Sequence, residues 1–425
     1  MSKIKSPTLD LFIYNYSGIP ESAQKKYDKY WDDLDEKLKF AEIKSKKSSS
    51  NYKIYYQPLD NDKQIDISYV RKSIQDTYLL NYTSSQDKAI EFSEITNLLN
   101  KLKDLAVLPQ IEQLNPGRFS QNGYLGKTWM ISTWMDNHNE FTQDIADNIY
   151  SQLIQDKYQH QKFGQFLDAK VWEMWREDTK LGGIEKDSHL MVIVYPDEVK
   201  FAQAAKFYYQ YWHELLLYRH KIIWAYQNGR QLKPQLSKQY DESLTNSTTL
   251  FSKDLDELKN DLQQNTNALT AYVRNLNLLE TQQHTIEVNL RNYEKICAYK
   301  FQNVHFLENF SQIVKQKYQI QLEKDYHGLN PGLAILENLT STIRGMVEIE
   351  QAKKDRNLSN TVAILGVGLA TSQLASAVIL AQHPPEKDIH FYNTTAFKTS
   401  FFAGITASIF LWAVIRLIRL LQRKK

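Results

Sequence analysis

Behind a run of branched apolar residues, the stretch Thr361–Ala381 carries Gly366-Val367-Gly368. Two glycines spaced this way are how a dinucleotide-binding turn begins, with backbone amides at a helix N-terminus gripping a pyrophosphate. That chemistry also needs a second strand and an acidic residue within about 30 residues. Here the third fingerprint position is Thr371, and Pro384-Pro385 closes the run. From Asn357 to Pro385 there is no Asp, Glu, Lys or Arg. About 20 uncharged, mostly apolar residues cross a ~30 Å hydrocarbon core as a helix that satisfies its own backbone. The stretch therefore reads as a membrane helix. On it, Gly368, Ser372 and Ser376 are spaced by four, a small-residue face that lets helices approach closely in lipid. Alternatively, Thr371, Ser372, Gln373 and Ser376 line an aqueous path, because the Gln373 amide at mid-membrane needs a partner or water.

Two other patterns bear on chemistry. His213-Glu214 opens like a zinc helix, but the position four on is Leu217, and His220 falls seven on. The aromatic run Phe207–Tyr226 surrounds Arg219, His220 and Lys221. It reads as an amphipathic helix packed on a sheet, or as a platform for stacking a nucleotide base. No nucleophile elbow, phosphate loop or paired-carboxylate signature occurs, so no enzymatic activity is expected and no cofactor is predicted. Cys297 is the single cysteine, which leaves no intramolecular disulfide and no Cys-based zinc site. It reads as a small buried hydrophobe.

The elements that hold these residues follow from periodicity. A second uncharged run, Thr399–Ile415, has 17 residues. Lys398 and Arg416 extend it by burying their stems and lifting their charges to the interfaces. Gly404 and Ser408 give it a small-residue face of its own, and Ala403 and Ala407 add a pair. Lys353, Lys354 and Arg356 precede the first span, and Arg416, Arg419, Arg423, Lys424 and Lys425 follow the second. By the positive-inside rule both termini face the cytoplasm of a multi-pass cell (inner) membrane protein. The opening residues MSKIKSPTLDLFIYNY do not read as a signal peptide.

Upstream, Leu255, Leu258, Leu262, Asn265, Leu269, Tyr272, Leu276, Leu279, Gln283, Ile286, Leu290, Tyr293 and Cys297 keep a strict three-four spacing. Heptads sustained this long predict a coiled-coil seam, with its partner in the same chain or in another. The HGLNPG stretch, His327–Gly332, is expected to break the helix that follows. A last helix then runs unbroken from about residue 333 to 382, about 75 Å at 1.5 Å per residue. Strands are predicted at Leu9–Tyr16, Lys53–Gln57, Lys127–Met135 and His189–Pro196. Helices are predicted at Glu21–Ala41, Lys88–Leu105, Glu140–Asp156 and Asp197–Tyr226. Strands alternating with helices point to an α/β domain.

The chain of 425 residues thus divides into a cytoplasmic α/β domain (1–235), a helical coiled-coil section (244–326) and a stalk helix (331–357). A first transmembrane helix (358–382), an external loop (383–398), a second transmembrane helix (399–420) and a basic cytoplasmic tail (421–425) complete it. A net charge of +3 with 24% charged residues excludes a dedicated nucleic-acid binder. Only 14 Gly and 10 Pro favour long helices.

This order of parts resembles the CorA family of divalent-cation channels. The resemblance covers the layout of the whole chain and not the family's Gly-Met-Asn motif at the outer end of the first span. That position reads Ile379-Leu380-Ala381-Gln382-His383-Pro384-Pro385, and Gly345-Met346 is followed by Val347. The resemblance implies a homopentamer in lipid, first spans lining a pore, a divalent cation as cargo and gating through the stalk. Divergent relatives act as membrane effectors triggered by a nucleotide. Three expectations follow, in this order: an oligomeric cation channel or transporter, a nucleotide- or partner-triggered membrane effector, and a non-conducting coiled-coil tether.

Overall fold

The computed structural model describes residues 3–16, 41–42, 52–58, 65–105, 123–178, 180, 183–185, 187–247, 250, 253–302, 304–382 and 394–422. These fall into two units, Met1–Tyr240 with Ala271–Leu333, and Asp241–Thr270 with Ala334–Lys425. Residues 21–40 of the expected helix Glu21–Ala41, and the stretches 43–51 and 106–122, lie outside the described residues.

The first unit is built on a nine-stranded sheet. Its strands are β1 (Lys5–Tyr16), β2 (Ala41–Glu42), β3 (Tyr52–Pro58), β4 (Ile65–Ile74), β5 (Thr77–Gln86), β6 (Tyr124–Trp134), β7 (His160–Phe166), β8 (Ala169–Trp175) and β11 (His189–Tyr195). They lie in the order β2-β3-β4-β5-β1-β6-β11-β8-β7. A separate two-residue pair joins β9 (Glu177–Asp178) to β10 (Ile184–Glu185). In the large sheet only β6 and β11 are parallel; every other neighbouring pair is antiparallel. The domain is thus mixed α and β, and the expected alternation of single strands with helices is corrected to consecutive hairpins. Ala41, expected to end a helix, is paired in β2 with Tyr56 of β3. Strands β4, β5, β7 and β8 were not foreseen. Their turns lack the Asn-Gly signal: Leu167 and Asp168 between β7 and β8 both take positive φ, 52° and 63°, a primed turn made by unusual residues. Gln75 between β4 and β5 has φ 55°.

Side chains alternate across the sheet. Leu9, Leu11 and Ile13 of β1 point to one face. There Trp129, Ile131, Leu190, Val192, Trp172 and Met174 join them in a core with helices α1 (Ile95–Leu105) and α2 (Gln143–Ile154). Both helices are shorter at the N-terminus than expected, because Phe92–Glu94 and His138–Glu140 form 3-10 turns instead. Asp10, Phe12 and Tyr14 point to the opposite face, which is covered by a long helical run. That run comprises α3 (Glu198–Gln203), a π-helical turn at Ala204–Tyr208 and α4 (Tyr209–Ser247). It passes Pro234 and ends 21 residues beyond the expected Tyr226.

The remaining helices are α5 (Leu255–Lys300), α6 (Glu308–Ile313), a π-helical turn at Val314–Gln319, α7 (Ile320–Gln382) and α8 (Thr395–Gln422). The expected break at His327–Gly332 does not occur, since Pro331 sits inside α7. A proline inside a helix costs about 3 kcal/mol. The bond lost is the one to the His327 carbonyl; two residues on, the Leu329 carbonyl accepts from the Tyr272 hydroxyl at 2.6 Å, which ties this turn to α5. Gly332 leaves room for that contact; a Cβ there would lie 3.1 Å from Tyr272 Cζ and 3.3 Å from Tyr240 Cδ2. Thr395–Lys398, expected in the external loop, already belongs to α8; residues 383–393 of that loop lie outside the described residues.

Candidate functional site

In the second unit, α7 and α8 meet through small residues. A Cβ on Gly404 would lie 2.7 Å from the Gly368 carbonyl oxygen and 3.0 Å from Ser372 Cβ. A Cβ on Gly368 would clash with Ser408 Oγ and lie 3.1 Å from the Gly404 carbonyl oxygen. The Ser408 hydroxyl donates to the Ile364 carbonyl across the pair at 3.3 Å. Gly368, Ser372, Gly404 and Ser408 are therefore brought together, with the two backbones in van der Waals contact. Thr371 is half-buried and its hydroxyl returns to its own helix, at the Val367 carbonyl, 2.8 Å away. Ser376 is half-buried, and Gln373 points away from the crossing and is exposed.

Both helices are long and apolar enough to cross a membrane, with mean hydropathy of 1.9 and 1.7 in their most apolar windows. Only 6% and 11% of those windows is buried. Large apolar side chains stand outward along both, among them Leu369 at 66%, Leu374 at 70%, Phe402 at 67% and Phe410 at 72% exposure. Lys353, Lys354, Arg356 and Arg416 are exposed. Arg419 lies in α8; its side chain is outside the described residues.

The residues of the predicted seam turn toward their own chain. In the second unit, Leu258 packs with Leu250, Ile343 and Val347, joined by Leu255 and Leu262. Asn265 donates to the Thr340 hydroxyl at 2.7 Å. Rising residue numbers on α5 meet falling numbers on α7, so the helices run antiparallel there. Leu269 is half-buried. In the first unit, Leu276, Leu279, Ile286 and Leu290 are buried, and the Tyr293 ring packs on Phe310 with centroids 5.2 Å apart. Cys297 is half-buried, and burial pushes its thiol up to about 12, which suits the inert role read for it.

Periodicity and motif reading missed a polar network beneath α4. Arg219 of α4, 2% exposed, donates to Glu185 Oε2 at 2.6 Å and lies 3.4 Å from Glu173 Oε1. Its guanidinium stands 4.3 Å from the Phe310 ring. Glu173 also meets His189 Nε2 at 3.0 Å; His189 Nδ1 meets the Thr128 hydroxyl at 2.8 Å, and that hydroxyl meets His220 Nε2 at 2.8 Å. Burial alone would raise the Glu173 carboxyl, but Arg219 first and His189 second more than offset it and hold it below its ordinary value. Burial keeps His220 well below the usual histidine range. Gly126 is required where β6 passes His220, since a Cβ there would lie 3.0 Å from the ring carbons. Lys221 pairs with Asp76. On the same face, Asp10 accepts from Thr83 and from the Tyr209 hydroxyl at 2.8 Å, and burial lifts it to about 6.

The aromatic run Phe207–Tyr226 therefore packs on the sheet, with Arg219, His220 and Lys221 turned inward and engaged rather than presented to a nucleotide. The one sequence signal for the network was a charged or polar residue at alternate positions of otherwise apolar strands, Glu173 in AKVWEMW and His189 opening HLMVIVY. The first unit also holds a cavity of about 450 Å³ lined in part by Asp156, Gln159, Arg176, Lys180, Asp187 and Ser188. Among the described residues no three His, Cys, Asp or Glu side chains are grouped to hold a metal ion. Compared with protein-family models, curated proteins and solved structures, the chain matches none.

Proposed function

We propose that the chain is an integral membrane protein of CorA-like layout, an oligomeric cation channel or transporter in which α7 lines the path. The observation that carries the reading is the pairing of small-residue contact at Gly368 and Gly404 with outward-standing Leu374 and Phe410. A soluble protein rarely exposes such a continuous apolar surface, and lipid covers it without loss. The core-helix alternative requires the same residues to be buried.

The pattern around α7 supports oligomerisation. At 100° per residue, Gly366, Ala370, Gln373 and Ala377 lie opposite Gly368 and Ser372. All four are exposed, and a Cβ on Gly366 would meet nothing within 4 Å. Large apolar residues flank this stripe on both sides. A small and polar stripe between two greasy flanks suits an axis shared by several copies, where the Gln373 amide finds water or a symmetry mate. Particle mass in detergent combined with flux in liposomes tests the reading. Five copies and a cation flux that falls in Gln373→Leu are expected. A monomer, or oligomers whose liposomes stay silent to every ion, overturns it.

A second reading, a membrane effector triggered by a nucleotide or partner, draws on the cavity in the first unit, where Arg176 is paired with Asp156 and the lining carries Glu177, Asp178 and Asp187 beside Lys180. Thermal-shift screening of the full-length chain against nucleotides checks its nucleotide form, and a panel without any stabilising member leaves that form unsupported. A tether using the α5 seam has less support, because the described seam residues face their own chain.

A further inference from the structure

The contacts between α7 and α8 set a register. Gly404 meets Gly368 and Ser372, and Ser408 meets Gly368 and Ile364. Four residues up α8 thus correspond to four residues down α7. Carried eight residues further, this places Arg416 level with Arg356, and one turn more places Arg419 level with Lys353. Five basic residues, Lys353, Lys354, Arg356, Arg416 and Arg419, share this band with one acidic residue, Asp355.

Asp355 in the band and Glu350 one turn below offset two of the five positive charges and leave an excess of three. Every residue from 351 to 359 is exposed around the whole circumference of α7. Lys353 reaches Glu350 one turn below, at 2.5 Å; among the described residues Lys354 and Arg356 have no acidic partner. The Arg416 guanidinium lies 5.0 Å from the Trp412 ring, which is 50% exposed. An indole beside a guanidinium marks the depth where hydrocarbon gives way to headgroups. Two residues outward on α7, past Asn357, Leu358 is apolar and 64% exposed, so the band sits near the edge of the apolar surface. At the far end of the pair the sequence is balanced, with Lys387 and Lys398 against Glu386 and Asp388.

We propose that this basic band binds the phosphate of anionic glycerophospholipids, selecting them over zwitterionic lipid around the α7–α8 pair. The inference rests on the membrane reading. Bidentate guanidinium donors at Arg356 and Arg416 match a phosphodiester, and the lysines add point charge. Each exposed basic residue at a headgroup surface favours anionic lipid about fivefold.

The test uses the full-length chain reconstituted into phosphatidylcholine nanodiscs with a minor fraction of phosphatidylglycerol, counting lipids retained after mild delipidation. Enrichment of phosphatidylglycerol over its bulk ratio is expected, falling at least ~10-fold in the triple variant K353Q/K354Q/R356Q. The charge-keeping variant K353R/K354R/R356K keeps the enrichment, and K398Q at the balanced far end lowers it by no more than the roughly fivefold of a single residue. Equal retention of both lipids, or equal loss in K398Q, overturns the proposal. So does displacement by soluble glycerol phosphate as readily as by phosphatidylglycerol, which would make the ligand a free phosphate. Flotation with pure phosphatidylcholine liposomes separates the two failures. A chain that does not float refutes the membrane reading, whereas one that floats without enrichment refutes this inference alone.

Discussion

Helix α4 and the α7–α8 pair hide opposite things. Helix α4 turns Arg219, His220 and Lys221 inward, at 2%, 3% and 7% exposure, and each finds a partner in the first unit, Glu185, Thr128 and Asp76. Along α7 and α8 the large apolar side chains are outside, with Leu374 at 70% and Phe410 at 72%, while Gly368 and Gly404 lie inside the crossing. The same physics produces both. A buried charge is tolerated only when it is paired and hydrogen-bonded. Single apolar side chains stand in water on many proteins, but a continuous apolar surface is rare on a soluble one. The contrast is between a sheet-covering helix that keeps its charges inside and two helices, long and apolar enough to cross a membrane, that keep their large apolar side chains outside.

The largest expected effect probes the charged interior. Arg219→Met leaves Glu173 and Glu185 buried without their cation and costs about 3–5 kcal/mol. Chemical unfolding of the full-length chain in detergent measures it; a loss below ~1 kcal/mol breaks the contrast by showing that these charges reach solvent.

Next comes the opposite substitution on the second unit. Leu374→Arg places a cation at mid-span, where insertion costs about 2.5–3.5 kcal/mol. The variant should leave the membrane fraction on carbonate washing. For a helix surrounded by water the change would fall within about 0.5 kcal/mol, so an unchanged fraction ends the comparison.

A pH series sharpens the first unit. The folded value of Asp10, about 6, lies above the ordinary 3.8, chiefly through burial. Folding therefore favours its protonated form. The stability this contributes is fully present below pH 3.8 and is lost as pH rises through about 6. The difference corresponds to about 3 kcal/mol at most. Asp10→Asn should flatten that part of the pH dependence, and unfolding midpoints across the series read it. An unaltered slope would place the titration elsewhere.

The smallest effect concerns the seam. Asn265→Ala removes the donor to Thr340 and costs about 1 kcal/mol. Because the partner is in the same chain, the particle mass in detergent should stay constant; a drop in copy number would show the seam serving assembly instead.

Several of these features were legible from residue order. The uncharged runs around Gly368 and Gly404 and the inward stripe from Leu258 to Leu290 are repeated over many turns, and repetition survives local noise. Single-residue signals were less dependable. The stretch His327–Gly332 read as a break, yet α7 runs through it, with Tyr272 packed on Leu329 and Gly332 from far away in the chain. Strands β4, β5, β7 and β8 escaped because their turns use Gln75, Leu167 and Asp168 in place of glycine. The aromatic run on α4 read either as a helix packed on the sheet or as a platform for a nucleotide base, and the structure turns Arg219, His220 and Lys221 inward.

What residue order alone determined is the set of properties additive along the chain: where helices are long, which runs carry no charge, and at which ends the positive residues gather. What only the tertiary structure decided is which side of each element meets its neighbour. It made Glu173, His189, Thr128 and His220, from three strands and a helix, into one chain of hydrogen bonds. It also set Gly404 against Gly368 rather than one turn away. The reason is that such contacts depend on register and facing, which no local preference encodes, and a slip of one residue would turn every side chain to the other face.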